Sequence, residues 1–368
     1  MANIRRREGK RGTTYRVRYT GADGKDHIKT FKRKVDAERY AKTVEADVVR
    51  GDWVDPRLGR TAFGEWADAY LGSIRHVKPK TLQGYEGLLR AHLKPRFGST
   101  EMAKIRPVDV RGFIADLIDS GVSPSLVRQA RHLLGMIFNA AVENGVVSKS
   151  PVIGVKVPRV QRREMQPLTA EQVNRLAAAT KPPYDVLIYV LSYAGLRWGE
   201  AAALRRGRCN MLRSRLEIEE ALSEVGFDKA TGRSCSKLTF LPTKTWERRS
   251  VYIPKFLIDM LARHLAENVP DDPQALVFTA PEGGPLRYNN FRRRIWSPAV
   301  KTADLPVRNL RIHDLRHTCA ALLISSPERP SPKVIQDHLG HSSIQVTFDV
   351  YGHLFEADLD DLAAKLEL

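Results

Sequence analysis

The chain has 368 residues, 42% of them hydrophobic, which is enough for two or three domains with their own cores and excludes a disordered polypeptide. Lys and Arg outnumber Asp and Glu 60 to 42, a net charge of +18, so the expected partner is an anionic polymer: nucleic acid first, an anionic membrane surface second. No window approaches ~18 uninterrupted apolar residues, and the start (MANIRRREGKRG) has no apolar signal core, so neither a membrane span nor secretion is expected.

Residues 1–42 carry 14 Lys or Arg against 5 Asp or Glu, half of the whole excess. Tyr15 to Thr20 alternates with period two, placing aromatics and Val17 on one face and Arg16 and Arg18 on the other. Gly21 to Gly24 reads as a turn and His27 to Phe31 as the returning strand of a hairpin. Ala37, Tyr40, Ala41, Val44 and Val48 then fall at helical spacing, so a small sheet packed on one helix is expected. A two-stranded ribbon fits the major groove of DNA, and the flanks Arg5-Arg6-Arg7 and Lys32-Arg33-Lys34 would grip the phosphates beside it. The alternative is a plain solvated hairpin surface.

Gly51 to Arg60 reads as a linker. Thr61 is read as the cap of a helix bearing Phe63, Trp66, Tyr70 and Leu71, with a break at Pro79. A second helix carries Tyr85, Leu88, Leu89 and Leu93 and ends at Pro95 and Gly98. A third spans Val108 to Ile118 and a fourth runs from about Ser125 to Glu143. Arg90, Lys94, Arg96, Arg128 and Arg131 are candidate phosphate contacts in this helical unit, or plain surface charge. Lys156 to Pro167, with two prolines and four Lys or Arg, reads as another linker, after which Leu168-Thr169-x-x-Gln172 opens a capped helix.

In the last part, the buried-looking run Val186 to Ala194 stops at Gly195, just before Arg197. Strand periodicity follows at Arg215 to Ile218, Lys237 to Leu241 and Ser250 to Ile253, with Lys244 in the turn between the last two. The densest chemistry lies from Leu310 to His353. His313 and Arg316 are three apart at the head of the apolar run Cys319 to Ile324 and would share one helix face. Gly340 would end a short helix over Lys333 to Leu339, and Ser342 would cap another carrying Ile344, Thr347, Phe348 and Tyr351. A cation, two imidazoles (His313 and His341) and a phenol would then converge on one point, which suits a phosphodiester under nucleophilic attack. His317, one residue past Arg316, belongs to a different helix face, and His338 is read as packing or facing water. Cys209, Cys235 and Cys319 are scattered, and neither a carboxylate triad nor a His/Cys cluster points to a metal, so no cofactor is expected.

Four pieces of this sequence, taken in order, resemble the tyrosine recombinase (phage integrase) family, whose pattern is R…K…HxxR…H…Y. They are Gly195-Leu196-Arg197-Trp198-Gly199-Glu200, His313 through Thr318, Leu339 through Ser343, and Tyr351-Gly352-His353. The resemblance implies a multidomain chain: an arm-type DNA-binding domain over 1–56 (a small β-sheet plus helix), a four-helix core-binding domain over 61–155, and a catalytic domain over 166–368. That last domain would be mixed, mainly α-helical, with a small antiparallel sheet. It implies that Arg197 and Arg316 hold the non-bridging oxygens of the scissile phosphate, His341 donates to a phosphate oxygen, His313 assists proton transfer and Tyr351 is the nucleophile. Lys244 becomes the general acid, brought in by a mobile hairpin, with Lys229 and Lys237 as rivals. His353 fits the pattern without a catalytic role. The linker's Arg162 and Arg163 would cross the DNA.

The implied function is site-specific recombination of double-stranded DNA through a 3′-phosphotyrosyl intermediate, without metal or ATP. A homotetramer would act on arm and core sites of a phage or mobile element in the bacterial cytoplasm, nucleoid-associated when bound. A host DNA-bending protein and a directionality factor would assist. The tail after Tyr351 (Leu354, Phe355, Leu359, Leu362, Leu366) would dock on a neighbouring protomer. The alternatives are a type IB topoisomerase, which the basic front argues against, and a DNA-binding repressor without catalysis, which the complete residue set argues against.

Overall fold

The computed structural model describes residues 2–9, 12–51, 53–159, 166–226, 237–243 and 248–352, and the chain divides into two compact units, Met1–Arg162 and Arg163–Leu368. Arg162, Arg163, Lys229, Cys235, Lys244, His353 and the tail lie outside the described residues.

The first unit begins with three antiparallel strands, β1 (Asn3–Gly9), β2 (Gly12–Thr20) and β3 (Asp26–Phe31), in the order β1-β2-β3. The expected hairpin is therefore the second half of a three-stranded sheet, and Arg5 to Arg7 form a strand instead of a loose flank. Their run of charge hides any alternation, so only pairing reveals the strand. Its register sets Arg5 opposite Arg16, Arg6 opposite Tyr15 and Arg7 opposite Thr14. Val17 and Tyr19 face helix α1 (Lys34–Arg50) and pack with Ala37, Ala41 and Val44. The segment read as a linker is partly packed: the Trp53 ring meets the His27 ring edge-on at 4.9 Å, and Leu58–Arg60 makes a 3-10 turn.

A separate core joins α2 (Phe63–Ser73), α3 (Pro79–Leu88), α4 (Lys94–Phe97), α5 (Pro107–Asp119) and α6 (Pro124–Glu143). On α6, Val127, Ala130, Leu133, Leu134, Ile137, Phe138 and Ala141 form the buried stripe, each large side chain contributing ~1.5–3 kcal/mol on leaving water. Three local readings change. Thr61 does not cap α2, whose cap position is Ala62; the Thr61 carbonyl instead accepts from Met102 N at 3.0 Å. Pro79 starts α3 instead of breaking it, as suits a residue whose missing N–H is not needed in a first turn. The chain passes Pro95 through a widened π turn at Leu89–Leu93 and continues as α4.

The second unit opens with α7 (Ala170–Ala178), capped as expected: Thr169 Oγ1 accepts from Gln172 N at 3.2 Å, and Gln172 Oε1 accepts from Thr169 N at 3.0 Å. Helix α8 (Asp185–Tyr189) runs into a π turn at Val190–Ala194, and α9 (Trp198–Ala202) follows. The strands are β4 (Cys209–Asn210), β5 (Arg215–Ile218), β6 (Glu220–Val225), β7 (Lys237–Pro242) and β8 (Arg249–Tyr252). They form two small antiparallel sheets, β4-β5-β8 and β6-β7. The expected β7–β8 hairpin is thus corrected: β7 pairs with β6 and β8 with β5, so the two strands belong to different sheets. The missed β6 is the reason, since Glu220 and Glu224 interrupt its apolar pattern.

The remaining helices are α10 (Lys255–Asn268), α11 (Tyr288–Phe291), α12 (Ser297–Ala303), α13 (Asp314–Ile324), α14 (Pro332–Leu339) and α15 (Ile344–Tyr351). The main core gathers α8, its π turn, α10, β5 and β8. A smaller one holds Cys319, Ala320, Ile324, Ile335, Leu339 and Tyr351 together. Gly340 ends α14 at φ 64°, as its position predicts, while the cap residue of α15 is Ser343 and not Ser342.

Candidate active site

The site is built on the C-terminal end of α14. A helix leaves its last carbonyls without partners and carries partial negative charge there, so it draws cations. Three arginines from distant parts of the chain answer. Arg316 Nη2 donates to the Leu339 carbonyl, Arg197 Nη2 to that of Gly340 at 2.7 Å, and Arg249 Nε to that of His338 at 3.3 Å. Arg316, only 3% exposed, also donates from Nη1 to the Gly195 carbonyl at 2.6 Å. Gly195 turns the chain there at φ 61°, and a Cβ on it would lie 2.7 Å from Leu339 Cδ2. Only glycine fits that approach.

Glu200, 2% exposed, ties the arginines together. Its carboxylate accepts from Arg197 Nη1 at 2.8 Å, Arg197 N at 3.0 Å, and Arg249 Nη1 and Nη2 at 3.1 and 2.6 Å. Burial opposes its charge, but the bonds and charges of Arg249 and Arg197 prevail and hold the carboxyl at about 2. Burial and the neighbouring Arg197 draw Arg316 down to about 10, still a cation at neutral pH.

Opposite the arginines lie the aromatic groups. Tyr351 is 1% exposed, and its hydroxyl shares a hydrogen bond of 2.7 Å with His317 Nδ1. Burial raises the phenol above its usual value while the Arg316 charge pulls it down. The His341 ring lies parallel to that of Tyr351, centroids 6.3 Å apart, and its Nδ1 meets Thr347 Oγ1 at 3.0 Å. Burial, Arg316 and Arg197 depress His341 to about 3, so the imidazole is neutral. His313 occupies the cap position of α13, where its ring meets that of His317 edge-on at 5.1 Å. Burial, then His317 and Arg316, bring His313 to about 4.

The structure thus brings Arg197, Arg316, His341 and Tyr351 into one cluster and reaches His313 through His317; Lys244 lies outside the described residues. Three members of the cluster escaped the sequence reading. Glu200 lies three residues after Arg197, which is the spacing of a capping box. Arg249 left no local signal, because its partner Glu200 is 49 residues away. His317 follows Arg316 by one residue and so leaves the helix in another direction, where the Tyr351 side chain of α15 meets it.

In the first unit, Arg5, Arg16 and Arg18 line one concave patch of the open sheet face with Asn3, Thr20 and Ile28, and Arg18 Nε bonds Asp26 Oδ2 at 3.0 Å. Register puts Arg7 on that face and Arg6 on the other, where it pairs with Glu8 at 2.7 Å. Lys32 and Arg128 are exposed. Arg33 pairs with Asp36 at 3.0 Å, Lys34 with Glu38 at 3.4 Å, and Arg131 Nη2 donates to the Val152 carbonyl at 3.3 Å.

The family model "Phage integrase family" matches residues 166–358, more than half of the chain. The chain belongs to that family. A second model, "Phage integrase, N-terminal SAM-like domain", matches residues 62–118. The prophage phiRv2 integrase of Mycobacterium tuberculosis is 27% identical over 96% of this chain and 92% of its own length. A XerC-like tyrosine recombinase of Caldanaerobacter subterraneus is 25% identical over 94% of each. Among solved structures, the Tn1549 transposon integrase in complex with a circular intermediate DNA shares the fold, with a TM-score of 0.68, 18% identity and coverage of 82% of this chain and 99% of that one. A lambda integrase tetramer bound to a Holliday junction matches at 0.60, with 17% identity over 91% of both chains. As a member, this chain is a tyrosine recombinase of the integrase kind, an enzyme of site-specific DNA cleavage and rejoining.

Proposed function

We propose that Tyr351 attacks a DNA phosphate and forms a 3′-phosphotyrosyl link, releasing a 5′ hydroxyl that attacks the partner duplex. The observation that carries this is a buried phenolic hydroxyl, hydrogen-bonded to His317 Nδ1 at 2.7 Å and within the field of the Arg316 charge of the same chain. Arg316 and Arg197 would hold the non-bridging oxygens of the phosphate. Each is already anchored by carbonyls or by Glu200, so little reorganisation precedes charge build-up. His341 is neutral, and in the tautomer whose Nδ1 accepts from Thr347 Oγ1 its Nε2 would donate to the same phosphate. Lys244 would protonate the departing 5′ oxygen, and His313 would support the proton path at the tyrosine. Bond energy passes through the phosphotyrosine, so neither ATP nor a metal enters the scheme.

The finer organisation follows the same reading. Residues 1–56 would bind arm sites through the Arg5, Arg7, Arg16 and Arg18 face, with Arg6, Lys32, Arg33 and Lys34 at its edges. Residues 61–155 would clamp core DNA with Arg128 and Arg131, and Arg162 and Arg163 would follow the strand between that clamp and the catalytic domain, 166–368. Separate hydrophobic cores in the front sheet and in the helices behind it support this division. A lambda integrase tetramer on a Holliday junction has the same fold, which favours a homotetramer here. The test is Tyr351→Phe on a nicked duplex that traps the covalent complex: trapping should vanish while binding persists. Trapping that survives the substitution would refute the assignment.

A further inference from the structure

The proton of the attacking hydroxyl has to leave as the new bond forms, and the cluster offers three imidazoles for it. His341 has its Nδ1 turned to Thr347, and its ring lies parallel to Tyr351, 13° from coplanar. His313 stands behind, against the ring of His317. His317 alone of the three meets the reacting atom, with Nδ1 2.7 Å from the Tyr351 hydroxyl oxygen. We propose that His317 is the general base of this enzyme, taking the Tyr351 proton during attack and returning it on rejoining. This rests on Tyr351 being the nucleophile.

Three further observations support it. First, the hydrogen bond spans two elements: His317 belongs to α13, which begins two residues before the buried Arg316, and Tyr351 ends α15. Any motion that brings Tyr351 to the phosphate therefore starts from contact with the base. Second, His317 is neutral at physiological pH. Burial lowers its affinity for a proton, Arg311 and Arg316 lower it further, and Asp314 pulls the other way. Third, the phenol is held above its ordinary value, so a free phenolate does not form ahead of attack.

The step balances as follows. The Oη–H bond of Tyr351 breaks and its proton passes to His317 Nδ1; the Oη–P bond forms; the P–O5′ bond breaks, and O5′ takes a proton from the general acid. On rejoining, O5′ displaces Oη, which recovers its proton from Nδ1. His313, at ring contact with His317, is a positioning residue for it.

The test uses full-length protein and a duplex that it selects from a random pool, nicked to trap cleavage, made with either a normal 5′ oxygen or a bridging 5′ sulfur at the cut. Sulfur leaves without a proton, so it rescues loss of the acid and not loss of the base. His317→Ala should slow single-turnover cleavage by ~100-fold or more on both substrates, within the usual range for a lost general base. His317→Asn keeps a hydrogen-bonding group near Tyr351 but cannot take up a proton, and should stay equally slow. The wild-type rate should fall with pH below the imidazole range, and His317→Ala should lose that limb. The other groups facing the site (Asp314, Arg311, Arg316 and His313 around α13, Tyr351 from α15, and His341) remain in both proteins. Recovery with Asn would make His317 a purely positional contact and overturn the proposal; recovery on the sulfur substrate would place it at the leaving group and overturn it too. If wild-type protein formed no covalent product, or Tyr351→Phe still did, the nucleophile assignment would fall instead.

Discussion

Replacing Glu200 by Gln removes one charge and almost no volume from the centre of the site. The carboxyl sits at about 2 against an ordinary 4.5. That depression corresponds to roughly 3 kcal/mol of stability, at ~1.36 kcal/mol per pKa unit. Mutational experience with buried ion pairs that lose one partner gives ~3–5 kcal/mol, which agrees. Because the folded value is depressed, this contribution is complete above pH 4.5 and fades only as pH falls toward 2, so measurement at pH 7 captures all of it. Gln also turns an NH2 toward guanidinium donors, leaving Arg249 and Arg197 each short of an acceptor. Urea unfolding at pH 7, read by pulse proteolysis with fragment masses assigned to residues 166–352, should show a midpoint lower by ~1–2 M. In an Arg249→Met background the same substitution should cost ~2 kcal/mol less, because the partner is already gone. Cleavage should fall with Arg197 unmoored, while DNA binding persists. A midpoint within ~0.3 M of wild type would show that the carboxylate does not organise these arginines, and the reasoning would be wrong.

Gly195→Ala combines positive φ with a Cβ placed 2.7 Å from Leu339 Cδ2 and 3.0 Å from Cys319 Sγ. Calorimetry should register a loss of ~2–4 kcal/mol, and cleavage should drop because the carbonyl that holds Arg316 moves. His338 is drawn to about 4 by burial, Arg249 and Arg316, below its ordinary 6.5. Its contribution to stability is therefore full above pH 6.5 and is lost as pH falls to 4, on the order of 3 kcal/mol; His338→Gln should flatten the stability profile over that window in urea titrations. Arg5 stands directly opposite Arg16, a like-charge pair that weakens the free sheet and suits an anion lying across it. Changing both to Ala should make the log-log salt dependence of DNA binding shallower by ~2 while thermal stability holds or rises; an unchanged slope would remove this face from the DNA contacts.

Much of this protein could be read from its residues alone. The net charge pointed to nucleic acid, period-two and helical spacings located most elements, and Gly195 and Gly340 marked turns that only their φ values permit. His313, Arg316, His341 and Tyr351 stand out because attack on a phosphodiester calls for cations, imidazoles and a nucleophile close together, and Arg197 because its motif resembles the family's. Such signals are local, since backbone geometry and side-chain chemistry act over a few residues. Tertiary structure decided what depends on partners far away in sequence. β1 exists because β2 pairs with it, and β7 and β8 part company because β6 and β5 take them. Glu200 becomes a hub only when Arg249 arrives from β8. His317 gains its place because Tyr351, at the end of α15, is buried beside it in the small core that also holds Leu339 and Cys319.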